Sequence, residues 1–335
     1  MYKIFKNKKI LITGGTGSFG KKFIKRLISH SFAKKIIIFS RDEQKQFQLQ
    51  HQLNKKNLRF FLGDIRDKER LNFALKNVDI VVHAAALKHV EIAEYNPFEV
   101  VKTNILGTQN VVDCAIANNI EKVISLSTDK ASSPLNLYGA TKLTADKLMV
   151  AANNYKGDTK TIFSVVRYGN VMGSRGSVIP LFLKQKENGI FSITDPKMTR
   201  FNITLEESVN FVINSLNHML GGEIFVPKIN SYKILDLAKS ISKKTKIQVT
   251  GARPGEKIHE EMISNADAEN TIEGKDFFII LPISRYNDLN KKNYLKKFKN
   301  FKNVKPGFTF SSNNNHFFSV SELSRLIKKN RMDFE

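Results

Sequence analysis

Over the first 170 residues, short apolar runs alternate with amphipathic stretches. The runs "KILITGG" (Lys9 to Gly15), "KIIIFS" (Lys35 to Ser40), "LRFFLGD" (Leu58 to Asp64), "DIVVHAA" (Asp79 to Ala85), "KVISLST" (Lys122 to Thr128) and "FSVVRYG" (Phe163 to Gly169) have the length of strands. They are apolar almost throughout, the pattern of strands covered on both faces. With helices between them, such strands predict a doubly wound α/β fold around a parallel sheet. After Gly169 the pattern loosens into loops rich in Gly, Pro and Arg. The chain therefore divides into residues 1–169, a nucleotide-binding domain that also holds the catalytic residues, and residues 170–335, mainly a smaller substrate lobe with some chain returning to the sheet. No internal repeat is present, and the polar patch "SSNNNH" (Ser311 to His316) reads as a loop.

Composition narrows the partners. The 335 residues are enough for a substantial core. No stretch reaches the ~20 uncharged apolar residues of a membrane span. The start "MYKIFKNKKILITGG" passes from basic residues into a strand, unlike a secretory signal, so the chain reads as cytoplasmic. A single cysteine, Cys114, reads as a small core residue and rules out an internal disulfide and most cysteine-based metal sites, and no metal is expected. The net charge of +23 is spread along the chain and thickens only near Lys291 to Lys302. No nucleic-acid-binding signature accompanies it, so a general attraction for phosphorylated substrates is the better account.

"TGGTGSFG" follows the first strand and opens a helix. Gly14 and Gly17 permit a tight turn and close approach to a pyrophosphate, Gly20 lets the helix pack on the strand, and the helix N-terminus favours anions. In this context the glycines, with Thr16, Ser18 and Phe19 between them, predict a Rossmann-type dinucleotide site. At the tip of the second strand, Ser40, Arg41, Asp42 and Lys45 surround the ribose position. Arg41, which can fork onto a 2′-phosphate, tilts the reading to NADP despite Asp42. Asp64 and Ile65 stand where an adenine edge would be read, although Asp64 is equally placed to cap the helix of "RDKERL". Ala84, in small-residue "HAAALKHV", allows backbone to pass close to a cofactor, Lys88 can reach substrate or phosphate, and Val171 lies beyond the sixth strand.

"TDKASSPLNLYGATK" (Thr128 to Lys142) carries the chemistry. Tyr138 and Lys142, at i and i+4, share one helix face. A phenol of pKa about 10 serves as a base only if a cation pulls that value down; at ~4 Å and an effective dielectric of ~20 one cation is worth roughly 4 kcal/mol. Lys142 is expected to supply it, and Thr128 to bond the same substrate hydroxyl. Asp129-Lys130 implies a further step unless it is a solvated loop pair.

The segments "LITGGTGSFGK", "SRDEQKQ", "HAAALKHVEIAEYNP", "STDKA", "NLYGATKL", "FSVVRYGNVMGSRGSV", "MTRF", "GGEIFVPKI" and "RPGEKIHE" carry a closer likeness. Over nearly its full length the chain resembles the extended short-chain dehydrogenase/reductase superfamily, and within it the inverting UDP-N-acetylglucosamine 4,6-dehydratases that begin pseudaminic acid synthesis. The resemblance implies a lyase acting on UDP-N-acetylglucosamine with tightly bound NADP. Hydride leaves sugar C4 with Tyr138 as base, and the ketone acidifies the C5 hydrogen. Lys130 takes that proton, Asp129 assists loss of the C6 hydroxyl, the hydride returns to C6, and C5 is reprotonated from the opposite face. It further implies that Lys88, Asn170, Arg175, Ser177, Val178, Thr194, Arg200, Arg253 and Glu256 surround the UDP-sugar, and that the protein is a homo-oligomer, often a hexamer in the family. The product would feed flagellin or surface polysaccharide. A lysine base must become neutral; lowering its pKa from ~10.4 to about 7 means roughly 4–5 kcal/mol. Burial near Lys142 and the nicotinamide is expected to do this.

Two enzymes remain as rivals. A UDP-hexose 4-epimerase would use Tyr138 and Lys142 without needing Asp129-Lys130. The retaining 4,6-dehydratases usually have methionine where Tyr138 stands, and carry N-terminal membrane spans. A non-catalytic NADP- or nucleic-acid-binding protein would not need this whole set.

Overall fold

The computed structural model describes residues 1–174, 176–283 and 291–331. In chain order the strands are β1 (Lys9–Thr13), β2 (Lys35–Ser40), β3 (Leu58–Leu62), β4 (Ile80–His83), β5 (Lys122–Thr128), β6 (Ile162–Tyr168), β7 (Asn170–Val171), β8 (Ile190–Ile193), β9 (Thr199–Ile203), β10 (Ile224–Pro227), β11 (Ser231–Lys233), β12 (Lys246–Val249), β13 (Glu261–Ile263), β14 (Thr271–Glu273), β15 (Phe277–Ile280), β16 (Lys302–Asn303) and β17 (Phe310–Ser311). The helices are α1 (Ser18–His30), α2 (Glu43–Leu53), α3 (Lys68–Ala74), α4 (Val90–Tyr95), α5 (Pro97–Val101), α6 (Gly107–Ala117), α7 (Leu137–Tyr155), α8 (Val178–Glu187), α9 (Leu205–His218), α10 (Ile234–Ile241), α11 (Lys291–Lys297) and α12 (Val320–Lys329).

One sheet dominates, in the order β16-β14-β15-β10-β6-β5-β4-β1-β2-β3. From β3 to β10 the strands run parallel. The remainder is antiparallel. This is the mixed α/β, Rossmann-type arrangement that the apolar runs predict. β1 lies between β2 and β4, so the order reverses beside the first strand. In open α/β sheets ligands bind outside the strand ends at such a reversal.

Successive apolar residues of β1 and β2 alternate between the two faces, so each face acquires its own core. Ile10, Ile12, Ile36 and Ile38 pack with α1 residues Phe23, Ile24 and Leu27 on one side. Leu11, Ile37 and Val81 pack with α6 residues Val111, Val112 and Ala115 on the other. Cys114 is buried in that second core, where burial pushes its thiol up to about 11. Several predicted strands end one or two residues early, because Gly14, Gly63, Ala84 and Gly169 leave the sheet to form turns, whereas β5 matches the predicted run.

A third core lies apart from these two, where Phe182 of α8, Phe191 of β8, Leu237 of α10 and Leu323 of α12 meet. The described part of the segment after Lys275 contributes to the large sheet and to the third core. β15 extends the large sheet, the Tyr294 hydroxyl donates to Gly221 O at 2.6 Å, and α12 packs in the third core. Among the described residues no helix is long and apolar enough to cross a membrane.

Candidate active site

The C-terminal tips of β1 to β6 surround a cleft of about 700 Å³. On the cleft wall stand Gly14, Thr16, Gly17, Ser18, Phe19 and Gly20 from the first turn, Ser40, Arg41, Asp42 and Lys45 from the second, and Asp64, Ile65, Ala84, Lys88 and Val171 farther along. Gly14 has φ +65°, and a Cβ there would lie 2.9 Å from the backbone of Ala85. A side chain would fill the passage between the first and fourth strand tips. No side chain caps the N-terminus of α1, whose first residues face the cleft. Backbone brought close, with a helix end aimed at it, fits the pyrophosphate of a dinucleotide.

Asp42 caps α2 by accepting from Lys45 N at 2.9 Å and ion-pairs with the Lys45 side chain. Arg41 stands 3.8 Å from Asp64. The helix-capping alternative for Asp64 is not what the chain adopts. Asp67 caps α3 by accepting from Arg70 N, while Asp64 turns to Arg66, which donates to it from Nη2 at 2.7 Å. Asp67 wins because it directly precedes the first helical residue.

β5 delivers Thr128 to the cleft floor, and a short 3₁₀ turn, Asp129–Ala131, follows. Asn136 then caps helix α7, its side chain accepting from Gly139 N at 2.8 Å. A Cβ at Gly139 would collide with the Lys130 carbonyl, so glycine lets α7 seat against this turn. Thr128, Asp129, Lys130, Tyr138 and Lys142 all reach the cleft. Asp129 is 1% exposed, which removes the solvated-pair alternative.

The electrostatics differ from expectation at two residues. Burial pushes Tyr138 up to about 12, with Lys130 and a hydrogen bond to Thr128 drawing it partly back. The Lys142 ammonium turns to the backbone of β5. Its Nζ donates to Leu126 O at 2.6 Å, and burial lowers its pKa. The second correction concerns Lys130. Burial alone would push this ammonium down, but Asp129 and Glu260 outweigh it and hold Lys130 above the usual lysine range. Lys130 Nζ lies 3.2 Å from Asp129 Oδ1 and 2.8 Å from Glu260 Oε1. Two carboxylates beside one ammonium favour its charged form. Burial, helped by Glu260, raises the Asp129 carboxyl.

Sequence reasoning passed over Glu260, although it ends the quoted "RPGEKIHE". Its signal was weak, a glutamate in a charged loop far along the chain from Lys130. Asn104 was also missed. Inside a π-helical turn, Lys102–Leu106, its side chain accepts from Leu87 N at 2.8 Å and donates to Leu87 O at 2.9 Å and Thr141 Oγ1 at 3.1 Å. It thereby ties the loop carrying Lys88 to α7.

Of the residues expected around the sugar nucleotide, Lys88, Asn170 and Ser177 line the cleft. Asn170 Oδ1 and Ser177 Oγ are buried and unpartnered, as atoms awaiting a ligand would be. Arg175 lies outside the described residues. Val178, Thr194, Arg200, Arg253 and Glu256 stand off the cleft wall. Thr194 Oγ1 donates to the Met198 sulfur at 3.1 Å. Arg200 donates to Thr199 O and Ile258 O, and Arg253 pairs with Glu91 at 2.6 Å and has its backbone N–H held by Glu256. Thr194, Arg200 and Arg253 thus each have a protein partner in the free site. Among the described residues no group of His, Cys, Asp and Glu is arranged to hold a metal ion.

Known proteins are similar to this chain in sequence and in fold. The family model described as "polysaccharide biosynthesis protein" matches residues 10–282. The chain belongs to that family. It is 51% identical over 328 residues, 97% of this chain and 98% of the relative, to the UDP-N-acetylglucosamine 4,6-dehydratase (inverting) of Campylobacter jejuni. It is 40% identical over 332 residues, 97% and 96% of the two chains, to the UDP-glucose 4-epimerase of Rickettsia canadensis. Among solved structures, Pen from Bacillus thuringiensis matches with a TM-score of 0.89 and 41% identity, covering 98% of this chain and 99% of that one. Within this polysaccharide biosynthesis family the likeness thus spans nearly the whole chain.

Proposed function

We propose that the chain catalyses 4,6-dehydration of UDP-N-acetylglucosamine with inversion at C5, as the first step of pseudaminic acid synthesis. The observation that carries this reading is Lys130 and Asp129 on the floor of the cleft beside Tyr138, in a chain half identical to an enzyme of that name.

The glycine turn, Ala84 and the uncapped end of α1 would hold a nicotinamide dinucleotide, which when bound supplies reversible oxidation and reduction at the sugar carbons. Arg41 on the wall near the ribose position supports NADP over NAD. Tyr138, bonded to Thr128, exchanges a proton with the C4 hydroxyl. Burial raises its pKa and so keeps the phenol protonated in the free site, with Lys130 and the bond to Thr128 both drawing it toward ionisation. Lys130 handles the C5 proton. Asp129, raised by burial, retains a proton at higher pH than an ordinary carboxylate and can give it to the departing C6 hydroxyl.

A 4-epimerase reading draws support from the 40% identity to an enzyme so named. Epimerisation needs no acid–base pair at C5 and C6, however, and leaves Asp129-Lys130 without work. The purified protein with UDP-N-acetylglucosamine is expected to yield a new C6 methyl signal in the proton NMR spectrum. A changed C4 with no methyl signal would instead establish epimerisation.

A further inference from the structure

A lysine that removes a proton from carbon must first lose one of its own. In this site Lys130 is held as an ammonium, and the nearest acceptor is a carboxylate that belongs to neither its own turn nor α7. Glu260 is 2% exposed. Its Oε1 lies 2.8 Å from Lys130 Nζ, while its Oε2 is buried and unpartnered. The backbone around it is fixed. Glu260 N–H donates to Ser312 Oγ at 2.9 Å, and its carbonyl accepts from Ser312 N at 2.8 Å. Ser312 belongs to the polar stretch that reads from sequence as a plain loop.

We propose that Glu260 is a positioning residue that acts through Lys130: it holds the amine at the cleft floor and takes the ammonium proton when Lys130 becomes a base. In this transfer one N–H bond of Lys130 breaks and one O–H bond of Glu260 forms, giving a neutral amine and a neutral carboxylic acid. No proton leaves the site in this transfer. The amine then accepts the C5 proton and is an ammonium again, and Glu260 releases the stored proton to solvent, which restores the ion pair. Exchanging an ion pair for a neutral pair is easier in a low-dielectric interior than in water, because neither product carries charge.

The groups facing this pair are Asp129 on the same turn, Tyr138 of α7, Arg200 of β9, Tyr232 of β11 and Lys257 of the 253–260 loop. Arg200 Nε lies 3.7 Å from Glu260 Oε1, which biases Glu260 toward its charged form at rest. Asp129 is the competing acceptor. It stands farther from the ammonium and already accepts from Thr128 Oγ1 at 2.9 Å.

The inference rests on Lys130 being the group that works at C5, and the test separates the two. The rate of methyl formation from UDP-N-acetylglucosamine is followed against pH for the wild type and for Glu260→Gln, Glu260→Asp and Lys130→Met. In the wild type the proton passes within the pair, so kcat is nearly level around neutrality. In Glu260→Gln the proton must go to solvent. Its kcat is expected to fall about 10²-fold at neutral pH, in the range of lost acid–base partners, and to rise steeply with pH, with KM within threefold of wild type. Glu260→Asp retains a carboxylate and is expected to restore the level profile at a reduced rate. Equal loss at all pH values in Glu260→Gln, or kcat within threefold of wild type, overturns the role of Glu260. Unimpaired turnover in Lys130→Met overturns instead the reading on which it rests.

Discussion

Replacing Lys130 with alanine is expected to lower the rate of dehydration by about 10²–10⁴-fold, the usual contribution of a placed acid–base group. The loss should fall on one step. Tyr138, Thr128 and the glycine turn remain, so the C4 hydroxyl can still be oxidised, but nothing at the cleft floor removes the C5 proton. Quenching a stoichiometric reaction with borodeuteride would trap a 4-keto sugar whose C6 hydroxyl is intact. The substitution also leaves Asp129 and Glu260, both buried, without their shared ammonium. Their carboxyls are then expected to titrate nearer neutrality, because a buried carboxylate deprived of its cation is costly to keep ionised. Turnover within threefold of wild type would remove Lys130 from the chemistry.

Tyr138→Phe is expected to stop the reaction one step earlier, also by about 10²–10⁴-fold. The ring remains to fill its place beside Tyr168 on the cleft wall, and only the hydroxyl that bonds Thr128 is lost. The C4 hydroxyl then has no partner for its proton, so the same borodeuteride quench should trap no keto sugar. The two variants are told apart by the trapped species and not by rate alone. Equal trapping in both would mean that Tyr138 does not act at C4.

Much of the fold is written into local pattern. Runs such as "KIIIFS" have no polar face to turn to water, so a central strand in a covered sheet is almost the only element they can form. The glycine turn was legible for a similar reason, since Gly14 answers a backbone demand that any side chain would violate. The catalytic turn and α7 were legible because their residues lie close together in sequence. What escaped reading depends on contacts between distant segments. Lys130 looked like a lysine to be discharged, because its own neighbourhood shows one acid. The second acid, Glu260, arrives from a loop anchored by Ser312. Lys142 looked like the cation for Tyr138, because i and i+4 share a helix face, but its Nζ bends to the Leu126 carbonyl. The arginines of "MTRF" and "RPGEK" were read as forks for a diphosphate, and the fold gives both of them protein partners. Spacing along a helix shows which side chains are neighbours, and the tertiary fold determines which atoms they bond.

The account stands or falls on what happens at C5, and one experiment reads it directly. UDP-N-acetylglucosamine is converted by the protein in deuterium oxide, and the product is examined by proton NMR. The account predicts a C6 methyl of three protons as a singlet, one deuterium at C5, and inverted C5 in the product's ring couplings. A methyl doublet with the C5 proton retained, or the original C5 configuration, would contradict it.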